Sequence, residues 1–229
     1  MSDQPEARTT DLEDFIRRET AIAAPSLVPE IRLHLATEIT PIWQATEESL
    51  ARRGMAPPYW AFAWPGGQAL ARHLLDHPEL ARGRRVLDFA AGSGLVAIAA
   101  AMAGAARSEA AEIDALALAA IALNAGLNGV SVSCRAEDLL AGDPAAQARA
   151  WDLVLAGDVC YEKPMAGAVE RWLAALAGEG VEILLADPGR AYLPQTGLIE
   201  AARYRVPTSL ELEDRAERET IVWRLAPAR

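Results

Sequence analysis

The chain has 229 residues, a formal net charge of −10, 52% hydrophobic residues, two cysteines and three histidines. That length fits one α/β domain, alone or with an N-terminal appendage, and suffices to bury a core. The acidity argues against a nucleic-acid partner, whose binders present a basic stripe, and Cys134 and Cys160 supply neither a disulfide framework nor a metal spacing.

In chain order, residues 1–11 are polar and expected to fray. They contain neither a basic n-region nor an apolar h-region. No apolar run reaches membrane-spanning length, so the expectation is a cytoplasmic protein with no membrane partner. No long exposed apolar helix argues for an obligate partner, which favours a monomer. From 12 to 50, apolar residues recur at helical spacing, interrupted by Pro25, Pro29 and Pro41. Two or three short helices fit that pattern. Residues 55–60 read as a stiff, extended linker, and Pro65 opens a helix running to about residue 76, before Pro78.

Strand and helix then alternate. Strands are predicted at 85–89, 107–113, 130–134, 151–155 and 181–186, and helices at 93–102, 116–127 and 165–176. A looser segment spans 138–150. The tail reads as two strands, 204–212 and 220–225, with no helix between them. This predicts an α/β, Rossmann-like, seven-stranded and mostly parallel sheet closed by a C-terminal antiparallel hairpin, with helices on both faces. The domain boundaries drawn from it are an N-terminal helical extension, 1–58, and a core domain, 59–229.

Between the first strand and its helix lies Asp88-Phe89-Ala90-Ala91-Gly92-Ser93-Gly94. Glycine lets a ligand approach the backbone, and the following helix offers free N–H groups. Two fingerprints overlap. Gly92-x-Gly94-x-x-Ala97 fits a dinucleotide loop, with Glu112 about 20 residues on as a ribose acid. Asp88-x-Ala90-x-Gly92-x-Gly94 resembles motif I of class I S-adenosylmethionine-dependent methyltransferases, with Ala90 replacing the usual first glycine. An acid suits a sulfonium and an ammonium and repels a diphosphate, so the methyl-donor register is favoured.

Acidic residues follow each of the five predicted parallel strands: Asp88, Glu112, Asp138, Asp158 and Asp187. Singly, each reads as a solvated loop carboxylate; together they predict a negative rim for a cationic cofactor and a cationic acceptor. In the methyltransferase register Asp88 would favour the cofactor's amino group, and Ala90, Ala91, Gly92 and Gly94 would line its backbone side. Glu112 would accept from both ribose hydroxyls and Asp138 from the adenine amine, with Leu139 covering the ring. Gly157 and Asp158 would close the site near the sulfonium.

The run Tyr59-Trp60-Ala61-Phe62-Ala63-Trp64-Pro65-Gly66-Gly67 and the later Asp158-Val159-Cys160-Tyr161 resemble the seven-strand lysine methyltransferases with a D-x-x-Y motif after strand four. Pro29-Glu30-Ile31-Arg32-Leu33-His34-Leu35, Asp187-Pro188-Gly189-Arg190 and Thr220-Ile221-Val222-Trp223 narrow this to the electron transfer flavoprotein β-subunit lysine methyltransferase family. The resemblance implies methyl transfer from S-adenosylmethionine to lysine amines of that flavoprotein's β-subunit, leaving S-adenosylhomocysteine. It implies Asp158 and Tyr161 as catalytic residues and Trp64 packed on cofactor or acceptor. Asp187 and Arg190 would contact the substrate, Arg190 through an acidic partner surface. Trp60 is a substrate-side candidate or core, whereas Trp43, Trp151, Trp172 and Trp223 read as core. Another protein or small amine as acceptor, a nicotinamide-dependent oxidoreductase, and a catalytically silent cofactor-binding module stay open.

Overall fold

The computed structural model describes residues 4–36, 57–208 and 215–226, with side chains from residue 10 onward. Nine strands and six α-helices occur among them: α1 (Gln4–Glu19), β1 (Ala21–Ala23), β2 (Leu33–Leu35), α2 (Pro65–Asp76), β3 (Arg85–Phe89), α3 (Leu95–Met102), β4 (Arg107–Ala111), α4 (Ala115–Leu127), β5 (Ser133–Arg135), α5 (Pro144–Gln147), β6 (Leu153–Gly157), α6 (Lys163–Gly178), β7 (Glu182–Asp187), β8 (Leu198–Pro207) and β9 (Glu217–Leu225). Strands β3 to β9 form one sheet in the order β5–β4–β3–β6–β7–β9–β8. The first five of these pair in parallel, β9 runs antiparallel to β7, and β8 antiparallel to β9.

Helices cover both faces, so β3, β6 and β7 are buried along nearly their whole length. On one face α2 and α3 bring Leu70, Leu74, Val96 and Ile98 against Leu155, Leu184 and Val222. On the other, α6 seats Trp172, Leu173 and Leu176 against Phe89, Val154 and Ile183. The small side chains of α3 let neighbours pack around it, and every residue from Leu95 to Ala100 is buried. Strands β4 and β5 lie on one side of β3, and β6 and β7 on the other. That reversal of strand order opens a crevice at the carboxyl ends of β3 and β6.

The N-terminal part differs from the expected two or three helices. One helix, α1, already begins at Gln4, inside the stretch expected to fray. It is followed by the antiparallel pair β1–β2, in which Ile22 faces His34. Pro25 and Pro29 therefore sit in a connection between two strands, each too short to show a sequence period. Trp43 and any helix around it lie outside the described residues. The hairpin is tied to α4 side by side: Asn124 Oδ1 accepts from His34 N at 2.8 Å and Asn128 Oδ1 from Arg32 N at 2.9 Å. Asn124 Nδ2 also donates to Ser93 O at 2.9 Å, which links hairpin, α4 and the glycine turn through one buried amide. At the other end of the chain, β8 begins at Leu198 rather than near Tyr204. It is the sheet's outer strand and mostly exposed, so its apolar pattern is weak.

Candidate active site at the crevice

The chain leaves β3 through a turn with three left-handed residues, Ala90 (φ 55), Gly92 (φ 52) and Gly94 (φ 79). Gly94 has a second reason to lack a side chain, since a Cβ there would come 3.1 Å from Ile121 of α4. Ala90, standing where the motif usually has glycine, takes the left-handed conformation anyway, at a cost of about 1–2 kcal/mol. Asp88 does not reach a rim. It is 2% exposed, and its Oδ2 accepts from Ala97 N in the first turn of α3 at 3.0 Å. Burial, reinforced by the neighbouring Glu112, pushes its carboxyl up to about 8. At neutral pH this group is mostly protonated, so the expected charge toward a cofactor is corrected to an internal brace for the turn.

Glu112, half-buried at the end of β4, bridges back to the same turn. Its Oε2 accepts from Gly92 N at 3.0 Å, and its Oε1 from Ile113 N at 2.8 Å and Asp114 N at 3.2 Å. Asp138 is exposed and caps the short 3-10 turn that follows it, with Oδ1 accepting from Leu140 N at 3.0 Å. Leu139 is buried in the same apolar cluster as Phe89, Trp151 and Trp172.

Phe89 pairs with Ala156, so the ends of β3 and β6 leave the sheet side by side. At the end of β6, Gly157 and Asp158 meet the start of α2. A Cβ on Gly157 would come 2.9 Å from Gly67 N, and one on Gly66 would come 2.5 Å from Ala186 O. The Pro65-Gly66-Gly67 sequence thus places a helix N-terminus directly on two strand ends, with Pro65 at the first helical position. Asp158 is held between them. Its backbone N donates to Ala186 O, its Oδ2 accepts from Gly67 N at 3.0 Å, and its Oδ1 meets Arg190 Nη2 at 3.3 Å. Its φ is 57; Ala90 and Asp158 are the only left-handed non-glycine residues among those described, and both flank the crevice.

Around Asp158 stand aromatic rings. Tyr59 lies 5.9 Å from Trp64 and 5.7 Å from Tyr161, and Phe62 lies 5.9 Å from Trp64. The Trp64 indole N–H is oriented by Tyr59 O at 2.8 Å, and the Arg190 guanidinium lies 5.8 Å from its ring centre. Tyr161 is 43% exposed, with its ring beside Tyr59. Its phenol is held above the ordinary value by burial and then by Tyr59, so it stays a hydroxyl. Tyr59 was missed as a site residue, although it opens the aromatic run that pointed here. A cavity of about 240 Å³ beside this cluster is lined by Tyr161, Pro188, Gly189, Arg190, Ala191 and Arg218.

Three further expectations change. Trp60 is 1% exposed and packs with Ile16 of α1 and Ala117 and Ala120 of α4, so it is core and not a substrate contact. Asp187 is 1% exposed, its Oδ1 accepting from Gly189 N and Arg190 N at 2.7 and 2.6 Å. It shapes the loop after β7 and offers no exposed carboxylate to a substrate. Arg190 is turned onto Asp158, a placement the expectation did not include. The strand-end acids therefore do not form one charged rim: two are internal, and Asp158 is paired. Trp151 and Trp172 are core as expected. Cys160 is also buried, its thiol pushed up to about 12 by desolvation and nearby carboxylates, which leaves it unreactive. No helix among the described residues is long and apolar enough to cross a membrane.

Comparison with known proteins agrees with this geometry. The family model for ribosomal protein L11 methyltransferase matches residues 69–160, from α2 through the Asp158 loop. Among solved structures, magnesium protoporphyrin IX methyltransferase from Synechocystis PCC 6803, with bound SAH, superposes with a TM-score of 0.51 at 16% identity, covering 71% of this chain and 81% of that one. This likeness shows the class I methyltransferase fold. The electron transfer flavoprotein β-subunit lysine methyltransferase of Danio rerio is 36% identical over 93% of this chain and 83% of its own length. The human counterpart is 34% identical over 95% and 83%. The chain is a methyltransferase and belongs to the family of electron transfer flavoprotein β-subunit lysine methyltransferases.

Proposed function

We propose that the protein is an S-adenosylmethionine-dependent protein-lysine N-methyltransferase whose acceptor is the β-subunit of electron transfer flavoprotein. The observation that carries this reading is Asp158, a carboxylate in left-handed backbone that already holds a cation, with Tyr59, Trp64 and Tyr161 clustered beside that cation. Carboxylate plus aromatic faces is a receptor for an ammonium and for its methylated products.

The residues at the crevice fit the cofactor. The small-residue turn of Ala90, Ala91, Gly92 and Gly94 allows close approach, while Gly157 at the neighbouring strand end is packed against the start of α2. Glu112 is the ribose acid. Three of its roughly four acceptor sites are taken by backbone N–H groups, so gripping two hydroxyls requires it to release one of those bonds. Asp138 remains the candidate for the adenine amine. A diphosphate fits less well, because Ala97 N in the first turn of α3 is already held by Asp88. The bound cofactor would supply a methyl group on a cationic sulfur. The chain's own residues do the rest: Asp158 draws in and aligns the lysine nitrogen, while the aromatic walls exclude water and fix the direction of approach. Tyr161, Arg190 and Arg218 line the way in.

Two assays test the reading. S-adenosylhomocysteine should raise the melting temperature and NADH should not. Labelled methyl from S-adenosylmethionine should enter recombinant β-subunit, and acetylating that subunit's lysines beforehand should abolish incorporation. Protection by NADH alone, or undiminished labelling of the acetylated subunit, would remove the reading.

A further inference from the structure

A carboxylate facing a lysine creates a chemical difficulty. The free amine has a pKa near 10.4, so about one lysine in a thousand carries the lone pair at neutral pH. An unpaired Asp158 would worsen this, since a nearby negative charge favours the ammonium. The structure places a cation in the way. Arg190 meets Asp158 Oδ1 at 3.3 Å, while Oδ2 is fixed by Gly67 N at 3.0 Å. The Arg190 backbone is itself clamped by Asp187 Oδ1 at 2.6 Å, so the guanidinium is presented from a braced loop. Its central carbon also lies 5.8 Å from the ring centre of Trp64, one wall of the proposed acceptor pocket.

Resting on the lysine reading above, we propose that Arg190 is a positioning residue that balances the charge of Asp158, so that the acceptor is held as a neutral amine. In this arrangement the guanidinium stays on Oδ1 during turnover. The lysine ammonium enters, gives its proton to water, and the amine is aligned by the Asp158 carboxylate. Its lone pair then forms the N–C bond as the C–S bond breaks, and the positive charge passes from sulfur to nitrogen. The proton is lost before transfer, so no base with a raised pKa is required. Other charged or titratable groups facing this cluster are Glu112, Glu162, Tyr59 and Tyr161, with Cys160 and Asp187 behind Asp158 and Arg218 across the cavity. Arg190 contacts Asp158 through its side chain, at 3.3 Å.

The test compares Arg190→Gln and Arg190→Lys with the wild type in two measurements. In the first, single-turnover methylation of saturating recombinant electron transfer flavoprotein β-subunit is followed from pH 6.5 to 9.5. Arg190→Gln should be slowed tenfold or more at pH 7, approach the wild-type rate at the alkaline end, and be partly rescued by Arg190→Lys. Asp88 titrates in this window in every variant, so the difference between profiles is what is read. In the second, affinity for the same subunit is measured with S-adenosylhomocysteine present and no turnover. Arg190→Gln should bind as tightly as the wild type or tighter at pH 7. A uniform rate loss with an unchanged pH profile, or weaker binding with an unchanged rate, would overturn the proposal. If the wild type itself methylates no lysine of the subunit, the lysine reading has failed instead.

Discussion

Asp158 is the residue on which the proposed chemistry turns, and its backbone dictates how to test it. With φ at 57, alanine would add strain to the loss of the carboxylate, whereas asparagine tolerates the left-handed region. Asp158→Asn should therefore fold and bind S-adenosylhomocysteine as the wild type does, yet lose about 10²–10⁴-fold in methyl transfer. Fluorescence titration beside a turnover assay checks both halves. Asp88 gives a different signature. Its folded pKa of about 8 exceeds the unfolded value near 3.8, so its contribution is complete below pH 4 and disappears as pH rises through 8. The wild type should lose roughly 2 kcal/mol between pH 6 and 9 relative to Asp88→Asn, read as the difference between their denaturation curves. The acid of the motif was legible in the sequence; its burial was not. Spacing alone cannot distinguish a carboxylate facing a ligand from one folded back onto Ala97.

At the level of elements, the Trp64-Pro65-Gly66-Gly67 segment shows why a motif can be specific. Gly66 and Gly157 let α2 touch the ends of β6 and β7, and that contact orients Asp158. Gly66→Ala would drive a methyl to 2.5 Å from Ala186 O and should cost about 1–3 kcal/mol, with a matching loss of transfer, measured by urea denaturation and turnover. Asn124 ties the N-terminal hairpin to Ser93 in the turn. Asn124→Ala leaves a buried N–H and a buried C=O without partners and should also cost about 1–3 kcal/mol. Its weaker cofactor binding should be seen by calorimetry. Strands β3, β6 and β7 were readable because each carries a largely apolar run, and β4 (Arg107-Ser108-Glu109-Ala110-Ala111) and the short β5 followed from their place in the alternation with helices. The β1–β2 pair was not: three-residue strands have no period, and proline there was read as a helix breaker when it bounds a hairpin loop.

For the whole molecule, a parallel sheet closed by an antiparallel hairpin could be anticipated from alternation followed by a helix-free tail, whereas the strand order that puts the ends of β3 and β6 together comes from the structure. What alternation cannot convey is which side chains the loops fold inward. Hence Asp88, Trp60 and Asp187 are buried, and Tyr59 stands between Trp64 and Tyr161. The chain also carries a built-in control, because Lys163 is its only lysine. The most direct measurement is mass spectrometry of recombinant electron transfer flavoprotein β-subunit after incubation with the enzyme and S-adenosylmethionine. The expected spectrum has methyl groups on lysine side chains of the subunit, absent when Asp158→Asn replaces the wild type. A subunit with no methylated lysine, from an enzyme shown to bind S-adenosylhomocysteine, would contradict the account.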